Sequence, residues 1–215
     1  MTLSDPEKLT LFVKSLPNFK FYETIDGNYG HMGATIADAI LQANLRYSTH
    51  VKPRVDRILA EYPDVRTTSA VLHLLKSIKA TKFLNWRGED RAERFSRVLD
   101  LFEAEGIEDE EALRAWLSNK SNLPKLRAIK GIGPKTIDYF QILVGVSTSA
   151  VDRHLLNFLA LAGLAPRGYQ DAQCIINAAA DIQSIDRAKF DHSIWQYMSK
   201  RAAGSHAKTC DVAGI

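Results

Sequence analysis

Cysteine is nearly absent from this chain of 215 residues, in which Cys174 and Cys210 are the only two. Two cysteines are too few for a disulfide framework, and also too few for an iron–sulfur cluster held by four thiolates. The histidines show no metal-ligand spacing. The sequence therefore predicts no metal cofactor, and its cysteine usage is typical of a protein from a reducing compartment.

Long apolar runs are also missing, since no stretch of about 18 apolar residues occurs that would span a bilayer. Residues 1–14 include Asp5, Glu7 and Lys8, a composition unlike that of a signal peptide. Alternating runs of β-branched residues are scarce, and neither repeats nor a linker rich in glycine, proline or serine divides the chain. These absences predict a single unit that is neither embedded in a membrane nor rich in strands.

Helical periodicity dominates the remaining sequence. Phe95, Val98, Leu99 and Phe102 illustrate the pattern, because they fall on one face of a helix. Such stripes predict helices over 36–45, 52–62, 71–78, 90–105, 107–116, 121–129, 134–144, 152–162, 169–180 and 187–201. Short helices joined by short turns predict an all-α fold.

Charge is distributed unevenly, although the net charge of +3 is small. Acids crowd the stretch from Glu103 to Glu111, and no acid occurs between Glu111 and Asp138. That second window holds Arg114, Lys120, Lys125, Arg127, Lys130 and Lys135. A cationic segment beside an acidic one indicates either a positioned anion-binding patch or an ordinary solvated run of charge.

The basic window contains a glycine-rich turn between two helical patterns. Gly131 and Gly133 flank Ile132, and Pro134 follows in the first turn of the next helix, where no N–H is needed. We expect Ile132 to fill the core between the two helices. Such a turn exposes backbone N–H groups to an anion such as a phosphate. The alternative is a simple helix-to-helix connection.

Lys135 and Asp152 are the candidate chemical residues. A lysine in the first turn of a helix opposes the helix dipole, so Lys135 is not a stabilising choice there. A neutral lysine is a nucleophile that forms Schiff bases, and the alternative interpretation of Lys135 is a phosphate contact. Asp152 precedes an apolar helix and is placed to be its N-cap. Its other interpretation is a carboxylate that stabilises positive charge on a sugar while a glycosidic bond breaks.

The segments Ile129-Lys-Gly-Ile-Gly-Pro-Lys135-Thr136 and Ala150-Val-Asp152-Arg-His154 resemble the two signature motifs of the helix-hairpin-helix/Gly-Pro-Asp DNA glycosylases, which include the endonuclease III group. The resemblance extends over about residues 34–162. It implies a base-excision repair glycosylase with abasic-site lyase activity, acting on double-stranded DNA with a damaged base or an abasic site. Lys135 matches the lysine that attacks the sugar, and Asp152 matches the aspartate that assists departure of the base.

The resemblance also implies two helical lobes with the active site in the cleft between them. One lobe, over about 34–146, is a six-helix barrel ending in the hairpin, and 1–33 with 147–215 form the other. Together they make one glycosylase unit. A monomer is expected, located in the cytoplasm with the nucleoid or in a nucleus.

Further site residues follow from the motifs. The expected DNA-binding residues are Lys130, Gly131, Ile132, Gly133, Thr136, Arg153, His154 and either Asn44 or Gln42, one of which would fill the gap left by a flipped base. The candidates for a base pocket are Tyr29, His31, Trp86, Tyr139 and Trp195, although core packing is the alternative for each.

Three departures from the family pattern stand out. Lys130 replaces the usual proline and Ile137 replaces a small residue. The C-terminal cysteine cluster of endonuclease III is missing, so no iron–sulfur cluster is expected. A monovalent cation held by the hairpin carbonyls remains compatible with the family. The alternatives are a monofunctional glycosylase for alkylated or mismatched bases and a non-catalytic DNA-binding module.

Overall fold

The computed structural model describes residues 2–43 and 45–210, and side chains as far as Arg201. Within these residues the chain is all-helical and has no strand, which confirms the all-α prediction. The helices are α1 (Asp5–Ser15), α2 (Met32–Leu41), α3 (Lys52–Glu61), α4 (Thr68–Leu75), α5 (Ala80–Phe83), α6 (Glu89–Ala104), α7 (Glu110–Ser118), α8 (Leu123–Arg127), α9 (Pro134–Leu143), α10 (Arg153–Leu161), α11 (Tyr169–Ile182) and α12 (Arg187–Cys210). A π-helical turn, Tyr47–Val51, precedes α3.

The chain divides into two compact units. The central unit is Asp26–Val146, and the terminal unit combines the residues before it with those after it. The sequence placed the first boundary near residue 34, whereas the structure assigns 26–33 to the central unit. Asn28 N donates to Leu143 O at 2.7 Å, and Glu110 accepts bonds from the N–H groups of Tyr29 and Gly30. These bonds attach the segment to α7 and α9.

Helix α2 is the core element of the central unit. All its residues are buried, and it packs against α3, α6 and α9. The apolar stripe predicted on α6 is buried, with Phe95, Val98, Leu99 and Phe102 all inaccessible to solvent. Burying a phenylalanine side chain stabilises the fold by roughly 1.5–3 kcal/mol. The packing of α2 against α9 brings Gln42, at the end of α2, next to Lys135, at the start of α9.

The terminal unit has its own apolar core. Helix α1 packs against α11, and α10 packs against α12. The buried side chains include Leu9 of α1, Phe158 of α10, Ile176 of α11 and Phe190 of α12. Helix α1 was not predicted from the sequence, and its start is defined by a capping box between Ser4 and Glu7.

Candidate functional site

The glycine turn joins α8 to α9 within the central unit. Ile132 is 4% exposed and belongs to the same core as Leu126 and Phe140, which confirms its predicted packing role. Gly131 has a φ of +87°, a backbone conformation that favours glycine. The first bond within α9 runs from Ile137 N to Gly133 O, so the preceding N–H groups have no partner inside the helix. Lys130 and Gly131 are exposed beside them.

Lys135 lies in the first turn of α9 and is partly buried. Its Nζ donates to Oε1 of Gln42 at 3.1 Å. Gln42 follows the end of α2, so this bond joins the two helices. Among the residues that the structure describes, no carboxylate forms an ion pair with Lys135. The amine therefore has a neutral hydrogen-bond partner and, within the described residues, no ion-pair partner.

Gln42 and Asn44 were the two candidates for the residue that fills the gap in the duplex. Asn44 lies outside the described residues. Gln42 is partly buried, and its amide oxygen accepts the bond from Lys135. The structure therefore associates Gln42 with the predicted nucleophile, an arrangement that the sequence analysis did not anticipate. The two residues are 93 positions apart, and no local pattern links them.

A buried carboxylate surrounded by tyrosines lies one helical turn away from this pair. Asp38 Oδ2 accepts bonds from the hydroxyls of Tyr29 at 2.6 Å and Tyr47 at 3.2 Å. Asp38 Oδ1 accepts a bond from the hydroxyl of Tyr139 at 3.1 Å. We call Asp38 and these three tyrosines the Asp38 cluster. Two of the base-pocket candidates, Tyr29 and Tyr139, thus meet on a residue that the sequence analysis missed.

The Asp38 cluster and the Lys135–Gln42 pair are two successive links between α2 and α9. Asp38 precedes Gln42 by one turn on α2, and Lys135 precedes Tyr139 by one turn on α9. The position of Lys135 is therefore coupled to the packing around Asp38. An aspartate inside an otherwise apolar helix was the only sequence signal for this cluster, because a buried acid needs hydrogen-bonding partners.

Burial raises the pKa of Asp38 to about 6, although the bonds from the three tyrosines partly oppose this effect. The same burial, together with the charge of Asp38, raises the pKa of Tyr29 and Tyr139 well above the ordinary value for tyrosine. The negative charge of Asp26 also raises the pKa of Asp38. The cluster is therefore a site that resists ionisation of each of its members.

The Asp38→Asn substitution is expected to remove a pH dependence of stability. Between pH 3.8 and about 6 the folded protein keeps Asp38 neutral while the unfolded chain ionises it, so rising pH favours unfolding. The wild type should lose on the order of 3 kcal/mol of unfolding free energy across this window through Asp38 alone. The variant should lack that loss, since its amide does not ionise.

Chemical denaturation at several pH values measures this difference. Asp100→Asn is the matched control, because Asp100 is exposed on α6 and lies outside the Asp38 cluster. It should retain the wild-type pH dependence. An Asp38→Asn variant whose stability still falls across this range as in the wild type would show that another group is responsible.

The remaining base-pocket candidates have other partners. His31 is 2% exposed and caps α2, with Nδ1 accepting from Ala34 N and Nε2 lying 3.0 Å from the carbonyl oxygen of Tyr62. Those two bonds require the neutral ring, and burial lowers the pKa of His31 accordingly. This structural role argues against a place in a base pocket. The guanidinium groups of Arg54 and Arg91 lie over the ring of Trp86. The two arginines therefore cover the surface of Trp86 on which a base would stack.

Asp152 belongs to the terminal unit, where it is the N-cap of α10. Its Oδ1 accepts bonds from His154 N at 2.7 Å and Leu155 N at 3.0 Å, which confirms the predicted cap. Neither of these bonds uses Oδ2. Asp152 is partly exposed, and a contact made through Oδ2 would leave both bonds of the cap intact.

Arg153 and His154 follow on the same helix. Together with Asn157 and Arg201 they line part of a shallow depression of about 480 Å³. The ring of His154 lies 6.1 Å from that of Trp195, which in turn stacks on His192 at the same distance. Trp195 therefore lies near the predicted DNA-binding residues of its own unit, and it is far in sequence from Tyr29 and Tyr139.

Three further observations concern the described part of the chain. No group of histidine, cysteine and acidic side chains there could hold a metal ion. No helix there is both long enough and apolar enough to cross a membrane. Cys174 is a free thiol and is exposed, whereas the side chain of Cys210 lies outside the described residues.

Comparisons with known proteins gave one match. A search of curated proteins and a search of solved structures each found no match to this chain. Residues 10–199 match a protein family described as Domain of unknown function (DUF8548). Because that match spans most of the 215 residues, the chain belongs to the DUF8548 family.

Proposed function

We propose that this protein is a base-excision repair glycosylase that acts on damaged double-stranded DNA and also cleaves abasic sites. The hairpin between α8 and α9 would hold the DNA backbone, since its exposed N–H groups and Lys130 suit a phosphate. Lys135 would attack the sugar and Asp152 would assist departure of the base. The central unit would be a six-helix barrel that ends in the hairpin, and the protein would act as a monomer, either with the nucleoid in the cytoplasm or in a nucleus.

The proposed reaction begins with attack of the Lys135 amine on C1′ of the damaged nucleotide. The bond from C1′ to the base breaks, and its electron pair leaves with the base, which takes up a proton. The nitrogen then gives up one proton, the C1′–O4′ bond breaks with its electron pair going to O4′, which takes up a proton, and a protonated C=N bond to C1′ results. This imine makes the adjacent C2′ proton acidic, so its removal expels the 3′ phosphate and cleaves the strand. The Asp152 carboxylate would stabilise positive charge that develops on the sugar.

The environment of Lys135 is the observation that carries the proposal. A lysine at the start of α9 costs stability through the helix dipole, and no described carboxylate offsets that cost. Its hydrogen bond to the neutral amide of Gln42 instead fixes the direction of Nζ. An amine that is held by a neutral amide, as this one is among the described residues, suits a nucleophile. It also suits a phosphate contact, so the chemistry must be tested directly.

Borohydride trapping provides that test. The protein is incubated with duplexes that carry an abasic site, an oxidised pyrimidine, an oxidised purine, an alkylated purine or a mismatched thymine, and borohydride is added. Reduction of an imine gives a stable covalent complex between protein and DNA. We expect such a complex with the abasic duplex and with one class of damaged base, which would identify the substrate.

Two other outcomes would contradict the lyase proposal. Alkali-labile sites without a trapped complex would indicate a monofunctional glycosylase, in which Lys135 contacts only a phosphate. Binding to every duplex without base release or trapping would indicate a DNA-binding module that has no catalytic role.

A further inference from the structure

Arginines on α3 and α6 form a cationic surface next to the hairpin. We call Arg54, Arg91 and Arg94 together with Trp86 the arginine surface. All four residues belong to the central unit and are partly buried. None of these arginines lies in the two signature motifs, and the proposed chemistry does not use them.

Arg94 reaches the hairpin itself. Its Nε donates to the carbonyl oxygen of Lys130 at 2.9 Å. Its guanidinium also lies against Gly131, since a Cβ added to that glycine would be 2.0 Å from Arg94 Nη2. The absence of a side chain at Gly131 thus leaves room for the guanidinium. A positive charge from α6 is thereby placed directly on the turn that we expect to hold a phosphate.

Arg91 extends the surface towards the end of α2. Its Nη2 donates to the carbonyl oxygen of Ala43 at 2.6 Å, and its Cζ lies 4.6 Å from the centre of the Trp86 ring. Arg54 lies over the same ring at 5.1 Å and donates to the carbonyl oxygens of His50 and Asn85. These contacts orient the arginines without neutralising them, because carbonyl groups and aromatic rings carry no net charge.

Neighbouring arginines on the same helices behave differently. Arg57 on α3 pairs with Glu61, and Arg97 on α6 pairs with Glu93. Among the described residues, no acid forms an ion pair with Arg54, Arg91 or Arg94. Partial burial, and after it the charge of the nearby Arg94, lowers the pKa of Arg91. Arg91 and Arg94 thus lie close together, and no described acid forms an ion pair with either of them.

We propose that Arg91 and Arg94 bind the DNA backbone and extend the hairpin contact by further phosphates. The two residues lie one turn apart on α6, so their charges repeat along one helix face. A polyanion with regularly spaced charges fits this arrangement better than a single small anion does. A guanidinium fixed through one edge also keeps further N–H donors for a phosphate oxygen. The inference rests on the proposed function, because it takes DNA as the ligand.

The salt dependence of DNA binding tests this inference. The dissociation constant is measured from 0.05 to 0.3 M NaCl for a duplex with an uncleavable tetrahydrofuran abasic analogue. Arg91→Gln and Arg94→Gln should each lower the slope of the logarithm of the dissociation constant against the logarithm of the NaCl concentration by about one. The double variant should lower this slope by about two. At 0.1 M salt, each variant should bind roughly eightfold more weakly. Arg97→Gln is the matched control and should bind as the wild type does.

The conservative variant Arg94→Lys separates charge from hairpin support. A lysine keeps the charge but not the geometry of the bond to Lys130 O, so it should restore the wild-type slope. If Arg94→Lys is as defective as Arg94→Gln, or if Arg94→Gln keeps the wild-type slope, the inference is wrong. Borohydride trapping by the wild type is scored separately. Successful trapping with unchanged slopes refutes this inference alone, whereas salt-dependent binding without trapping refutes the lyase proposal alone.

Discussion

Replacement of Lys135 by glutamine is expected to abolish covalent trapping on abasic DNA and to reduce strand cleavage by at least about 100-fold. The variant removes the amine that forms the imine, and an amide cannot replace it. Binding to the uncleavable abasic duplex should weaken by no more than about tenfold, since one cation is lost. Glutamine also allows an amide-to-amide hydrogen bond to Gln42, so the packing of α2 on α9 should persist.

Lys130→Gln is the appropriate control for this experiment. Lys130 is exposed and precedes the hairpin glycine, so it shares the cationic environment of Lys135 but not the contact with Gln42. With saturating DNA it should be trapped at near the wild-type rate, although its binding loses about one unit of salt slope. A Lys135→Gln protein that is trapped as fast as the wild type would assign the imine to another amine and would refute the proposed nucleophile.

Replacement of Asp152 by asparagine is expected to lower the rate of base release by about 100-fold or more. A carboxylate near the sugar stabilises positive charge in the transition state, and loss of one such electrostatic group commonly costs that much. Asparagine caps a helix about as well as aspartate does, so α10 should remain intact. Trapping on a duplex that already contains an abasic site should be much less affected, because no base remains to be released.

The terminal unit offers a matched control for Asp152. Asp186 precedes α12, and its Oδ1 accepts bonds from Ala188 N at 3.0 Å and Lys189 N at 3.1 Å, as Asp152 does at α10. Asp186→Asn should leave base release unchanged. Asp152→Ala and Asp186→Ala should each lower the free energy of unfolding by about 1 kcal/mol. If Asp152→Asn releases the base as fast as the wild type does, Asp152 serves only as the N-cap of α10 and has no role in base release.

Local patterns in the sequence were sufficient for several features of this protein. Apolar spacing predicted most of the helices, because burial of one helix face requires apolar residues on every turn. The cap at Asp152 and the buried position of Ile132 were also predicted, since each depends on residues within one or two turns. The helix α5 and the π-helical turn were missed because each is too short for periodicity to show.

The tertiary structure alone decided which side chains meet. Gln42 and Lys135 are 93 positions apart, Asp38 and Tyr139 are 101 apart, and Arg94 and the Lys130 carbonyl are 36 apart. Each contact results from the packing of helices whose order in space is not encoded in any local pattern. The sequence by itself therefore determined the helical fold class, the glycine turn and the candidate residues Lys135 and Asp152. The neutral partner of Lys135, the Asp38 cluster and the arginine surface depend on how helices far apart in the chain pack together.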